Sequence, residues 1–192
     1  MPFTKQTYSG RLINVLSPKP SDIGFLGVAH HLSNIQRFNG GTTRSLSVAR
    51  HSLNVSTIVM EDTGSHLSAL YGLLHDAHEY LTGDITTPIK RAIKKISGID
   101  AIGELQRVID FAIFSAAGIP PVMDPRIYHA IKIADEKAAS HEVKNFVTPT
   151  EYEWNFSNHY TGHLDGTLSP EFDKVDFLSR LSFLMEASNA KA

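Results

Sequence analysis

The chain has 192 residues, and its 18 Lys and Arg against 20 Asp and Glu leave a formal net charge of −2 at pH 7. That balance argues against a binder of nucleic-acid polymers, which carries a basic surplus. Cysteine is absent, which excludes disulfides, thiolate metal sites and cysteine nucleophiles, whereas ten histidines keep imidazole chemistry open.

Hydrophobic residues make up 42% and charged residues 20%, the balance of a globular protein with a substantial core. The length predicts a single domain over residues 1–192. The opening Met1-Pro2-Phe3-Thr4-Lys5 lacks the apolar core of a signal peptide. The longest charge-free apolar stretch, Phe111 to Met123, is too short for a membrane span and is broken by Gly118, Pro120 and Pro121. The expectation is a soluble, cytoplasmic chain with no membrane partner.

Within residues 1–20 only Arg11 to Leu16 reads as strand-like, closed by Pro18 and Pro20. Helical spacing of Ile23, Leu26, Ala29, Leu32 and Ile35 predicts a first helix from Ser21 or Asp22 through about Ile35, with Arg37 at its end immediately before Asn39-Gly40-Gly41. A second helix is expected from Ser45 to Met60 and a third from Ser65 to Leu81. Thr87-Pro88 reads as a cap followed by proline at the first helical position, opening a fourth helix to Ile96. A fifth runs from Asp100 to Ala117. Asp124-Pro125 repeats the cap-plus-proline signal for a sixth, to Val143. Residues 146–168 read as a long loop able to cover something. Ser169-Pro170-Glu171 opens a last helix, over 169–190, with Val175, Leu178, Leu181 and Met185 as its core stripe. Seven helices and almost no strand predict an all-α bundle with its core over residues 21–145.

The chemistry concentrates between Leu73 and Asp84, where His75, Asp76, His78, Glu79 and Asp84 follow an apolar lead-in. Leu67, Ala69, Leu70, Tyr71, Leu73, Leu74 and Ala77 cover most faces of a helix, so the helix is expected to be buried. Charges and imidazoles there are costly unless paired or coordinated. Joined with His51 and Asp135, both beside apolar neighbours, His75 and Asp76 give two imidazoles and two carboxylates. Such a mixed site suits Mn, Co, Fe, Zn or Ni and is poor for calcium.

Glu79 shares a helix face with Asp76 and can manage the proton of an attacking water or hold a second ion such as Mg. Asp84, just past Gly83, can meet substrate or that second ion. Arg37 and Lys90 can neutralise phosphate charge, Lys90 from a first helical turn whose N–H groups also favour anions. Phe38 can stack on a base or sugar, or belong to the core. Taken singly, each residue has a plainer reading: a buried histidine is more often a hydrogen-bonded core residue, and Asp135-Glu136 can be a solvated face. His78 reads as a surface or supporting residue.

In combination they resemble a known family. The pattern is His51 in Ser47-Val48-Ala49-Arg50-His51-Ser52, then Leu74-His75-Asp76-Ala77-x-Glu79, Gly83-Asp84-x-x-x-Pro88-x-Lys90 and Ile133-Ala134-Asp135. It is similar to the HD-domain metal phosphohydrolases, in particular their 5′-deoxynucleotidase-like and phage dATP triphosphohydrolase-like branch. The likeness covers roughly residues 10–145 and includes Ile35-x-Arg37-Phe38-Asn39-Gly40. It departs at Gly40-Gly41-Thr42, where relatives often carry Gly-His-Thr, and at His31, where a small apolar residue is usual.

The resemblance implies that His51, His75, Asp76 and Asp135 are metal ligands and Glu79 the catalytic carboxylate, with Arg37, Lys90 and Asp84 contacting a nucleotide. It also implies a homo-oligomer. The expected activity is hydrolysis of small (deoxy)nucleotides, as a 5′-nucleotidase on monophosphates or a triphosphohydrolase. Two rivals remain: a mixed-valent di-iron oxygenase on the same fold, and a non-catalytic nucleotide-binding module.

Overall fold

The computed structural model describes residues 2–189. Among the described residues a small antiparallel hairpin, β1 (Thr4–Gln6) and β2 (Leu12–Asn14), precedes eight α-helices and two short 3-10 turns, Pro20–Asp22 and Arg37–Gly40. The α-helices are α1 (Phe25–Asn34), α2 (Val48–Thr63), α3 (His66–Leu74), α4 (Glu79–Thr82), α5 (Thr87–Ser97), α6 (Ala101–Ala116), α7 (Pro125–Phe146) and α8 (Pro170–Asn189). The all-α expectation holds; residue 190, the expected end of the last helix, lies outside the described residues. No helix among them is long and apolar enough to cross a membrane.

The α2 and α3 pair forms the centre, with α7 and α8 packed around it and α1 lying on α8. The close approach of α2 to α3 depends on Gly72, where a Cβ would come 3.2 Å from Val59 and 3.4 Å from the Ser56 backbone. Buried Val55, Ile58 and Val59 of α2 belong to the same apolar cluster as Ala69, Leu70 and Leu73 of α3. From α8 the buried apolar residues are Phe177, Leu181 and Leu184; Val175, expected in that stripe, is 53% exposed.

The caps explain the boundaries. Ser47 Oγ accepts from the Arg50 N–H to open α2, and Gly64 closes it in the left-handed region with φ 62°. Asp100 and Asp124 accept backbone N–H groups at the starts of α6 and α7. Helix α5 starts one residue earlier than expected, with Thr86 preceding it and Pro88 in its first turn.

The expected third helix divides in two. After Leu74 the N–H groups of Ala77, Glu79, Tyr80 and Leu81 donate to carbonyls three residues back rather than four. This tighter winding eclipses side chains at i and i+3, which stacks Asp76 under Glu79. The far end of α4 is held by Lys5 on β1, whose Nζ donates to the carbonyls of Tyr80 (3.2 Å) and Leu81 (2.9 Å).

Candidate metal centre

His51 comes from the first turn of α2, His75 and Asp76 from the tight turn after α3, and Asp135 from mid-α7. The structure brings these four together. His51 Nε2 lies 3.2 Å from Asp135 Oδ1 and 3.8 Å from Asp76 Oδ2; His75 Nε2 lies 3.2 Å from Asp76 Oδ2 and 3.9 Å from Asp135 Oδ1. The two imidazole centroids are 5.3 Å apart.

The other nitrogen of each ring is already committed. His51 Nδ1–H donates to Glu142 Oε1 at 2.6 Å, and His75 Nδ1–H donates to the Gly72 carbonyl at 2.8 Å. That fixes each tautomer with an Nε2 lone pair turned inward, and both Nε2 atoms are buried without a hydrogen-bond partner. Burial raises the Asp76 and Asp135 carboxyls, but the imidazoles outweigh it and hold both below the usual carboxylate range. The donor set is anionic, mixed N/O and unsatisfied, and it fits a divalent transition ion.

Electrostatics among the protein's own groups point the same way. Burial and Arg37 push the His51 imidazole down, yet Glu142 and Asp135 bring it up to about 9. A proton on His51 thus partly offsets the negative charge that a cation would neutralise.

Glu79 is 2% exposed, and its Oε2 has no partner. Burial, then Asp76 and Asp84, raise its carboxyl to about 9. With Asp76 and His78 it forms a second group of ligand atoms close enough to hold an ion. His78, read from sequence as a surface or supporting residue, is buried, with Nδ1 3.0 Å from Asp110 and Nε2 unpartnered.

Arg37, Phe38, Asp76, Glu79, Asp84 and Lys90 all open onto one cleft of about 520 Å³. The two imidazoles lie behind the residues that line this cleft, largely out of water, with His51 fully buried. Arg37 follows α1 rather than ending it, and its Nε and Nη2 donate to Glu142 Oε2 at 3.3 and 3.1 Å. Its Nη1 is turned toward Asp76 Oδ2, 3.8 Å away. Phe38 and Asn39 adopt φ of 54° and 51°, left-handed values that cost a bulky residue ~1–3 kcal/mol.

Three further groups of residues at the site were not assigned to it from the sequence, although residues 146–168 were expected to cover something. Glu142, seven residues after Asp135, is fully buried behind His51. Lys132 shares the cleft, with Nζ 3.7 Å from Asp135 Oδ2. The loop between α7 and α8 brings Trp154 and Phe156 to the same cleft. The i, i+7 spacing of Asp135 and Glu142 was a usable signal for the first; the aromatic pair, in an irregular segment, offered none.

An all-α bundle with a histidine–aspartate pair at its centre defines the chain as an HD-domain protein. Residues 24–148 match the model of the family described as 5′-deoxynucleotidase YfbR-like, and the chain belongs to that family of hydrolases. It is similar to an uncharacterized protein of Rhodobacter capsulatus, 37% identical over 149 residues that cover 76% of this chain and 74% of the relative. It is also similar to the uncharacterized protein YfdR of Escherichia coli, 32% identical over 139 residues, with 71% of each chain covered.

Proposed function

We propose that the chain is a divalent-metal-dependent phosphohydrolase of small (deoxy)nucleotides. The observation that carries this reading is the pair of buried, unpartnered Nε2 atoms of His51 and His75 facing Asp76 and Asp135. These four side chains would hold the ion, one of Mn, Co, Zn, Fe or Ni. When bound, such an ion supplies Lewis acidity to water and to a phosphate oxygen.

The protein groups do the rest. With a cation's charge beside it to offset burial and keep its raised carboxyl ionised, Glu79 would orient the attacking water and accept its proton at the free Oε2. Arg37 Nη1, Lys90 and Lys132 neutralise the phosphate as charge develops on it. Asp84 borders the same space and holds the water, or a second ion such as Mg. The cleft volume lies within the range for small-molecule sites. The description of the family favours a 5′-monophosphate over a triphosphate.

The decisive experiment is a panel of deoxy- and ribonucleoside mono- and triphosphates with each ion in turn, products separated as phosphate, pyrophosphate or triphosphate. Release of phosphate from monophosphates is expected. Nucleotide binding with no turnover under any ion would leave only a binding module. One observation favours a second reading: the Asp76, His78 and Glu79 group could hold a second ion, as a di-iron oxygenase requires. Two bound irons and oxygen consumption would establish that reading; a colourless protein active with Mn or Co would reject it.

A further inference from the structure

The family match ends at residue 148, and the aromatic side of the cleft lies beyond it. In the loop that follows α7, the rings of Trp154 and Phe156 are parallel within 3°, with centroids 6.1 Å apart. Phe38 meets Trp154 edge-on at 6.2 Å, and Tyr152 meets it from another side at 5.5 Å. Supported in this way, the indole remains 45% exposed. On the other side of Phe38, Arg37 Cζ stands 5.4 Å from its ring centroid. The contacts thus run in order from the carboxylate end of the cleft, through Arg37 and Phe38, to Trp154.

The loop is tethered by Glu136, the neighbour of Asp135. The Ser157 N–H donates to Glu136 Oε1 at 2.7 Å, and the Asn158 side-chain amide donates to Oε2. Successive residues on a helix point ~100° apart. Asp135 therefore faces the imidazoles while Glu136 holds the aromatic segment.

We propose that Trp154 and Phe156 form the wall against which the substrate's base stacks, and that Glu136 is the positioning residue for that wall. The proposal rests on the phosphohydrolase reading and assigns the side chains that would favour a nucleotide over sugar phosphates and other small phosphate esters. A flat aromatic surface rewards a planar base and gives nothing to a bare sugar. Because every base has a π-face, stacking also predicts weak discrimination among bases.

Trp154 is the only tryptophan in the chain, so intrinsic fluorescence reports on this position alone. The test compares deoxyadenosine 5′-monophosphate with 2-deoxyribose 5-phosphate on the full chain. The nucleotide is expected to quench Trp154 emission and the base-less phosphate to leave it unchanged. In kinetics, Trp154→Ala and Glu136→Ala should raise KM for the nucleotide about tenfold, the scale of losing one stacked base. Both should leave kcat, and turnover of the base-less phosphate, within about twofold of wild type on the same reasoning. Trp154→Phe should restore most of the loss.

Equal KM for both compounds in the wild type, with unchanged emission, would overturn the wall while leaving phosphohydrolase activity standing. Quenching by the nucleotide without hydrolysis of either compound would uphold the wall and remove the activity instead.

Discussion

One carboxylate, Glu142, serves both His51 and Arg37: Oε1 accepts from the imidazole at 2.6 Å, and Oε2 accepts twice from the guanidinium. Burial alone would raise this carboxyl, but Arg37 and His51 outweigh burial and hold it below its ordinary value. Asp135 and Glu142 are two turns apart on α7 and address opposite nitrogens of the same ring. Glu142→Ala is therefore expected to weaken ion binding about 10–100-fold, as loss of a ligand's supporting partner does. It also strands Arg37, at about 3–5 kcal/mol of stability. Calorimetric titration with Mn or Co and urea denaturation measure the two effects. Unaltered ion affinity would show that the imidazole does not need this partner.

Asp76→Ala and Glu79→Ala are expected to separate binding from turnover. Removing Asp76 takes away a donor within 3.2 Å of His75 Nε2 and should abolish both ion content and hydrolysis. Removing Glu79 should keep the ion and lose turnover by at least about 100-fold, the scale of a lost proton acceptor. Metal analysis beside a phosphate-release assay distinguishes them. A fully active Asp76→Ala would end the phosphohydrolase proposal.

Without an ion, stability should depend on pH through Glu79. Its folded carboxyl is raised to about 9 from an ordinary 4.5, so its favourable contribution is full below 4.5 and is lost as pH rises through 9. His51, raised from 6.5 to about 9, adds a fall of the same sign. Glu79→Gln cannot ionise, and its advantage over wild type should widen between pH 5 and pH 9 in chelated samples. Urea midpoints at both pH values give the comparison; a constant gap would mean that Glu79 does not titrate as its burial implies.

Helix α8 should set the orientation of α2. Asp173 is fully buried, accepting from Ser47 Oγ at 2.5 Å and from Arg50 Nε at 2.9 Å. Those two residues are the cap and first turn of α2, and Arg50 immediately precedes His51. Asp173→Ala should cost about 3 kcal/mol by leaving Arg50 Nε and Ser47 Oγ without their buried acceptor, although Asp176 still accepts from Arg50 Nη2 at 2.7 Å. Ser47→Ala should cost about 1 kcal/mol through the cap. Thermal melts rank the two, and equal small effects would discount the buried network.

Helix positions were legible because their signals are local. Asp100 and Asp124 cap where their spacing indicates, whereas α2 runs from Val48 to Thr63, ended by Gly64, rather than from Ser45 to Met60. The division at His75 to His78 was not legible, since apolar residues continue on helical spacing through Leu81 with no proline or glycine to break them. There the winding is settled by partners distant in sequence, including the Lys5 clamp. Convergence of His51, His75, Asp76 and Asp135 followed from the motif order, whereas Glu142 lies outside those motifs. Trp154 and Phe156 sit in an irregular segment, where no periodicity assigns a face.

The adjacency of Asp135 and Glu136 ties two jobs to a single rod. Inserting one residue upstream in α7 would swing both side chains by ~100°, silencing the reaction and loosening the aromatic flap at one stroke. Changes of length between Val147 and Ser169 leave α7 in phase. The proposed base wall could thus change in that stretch while Asp135 keeps its aim.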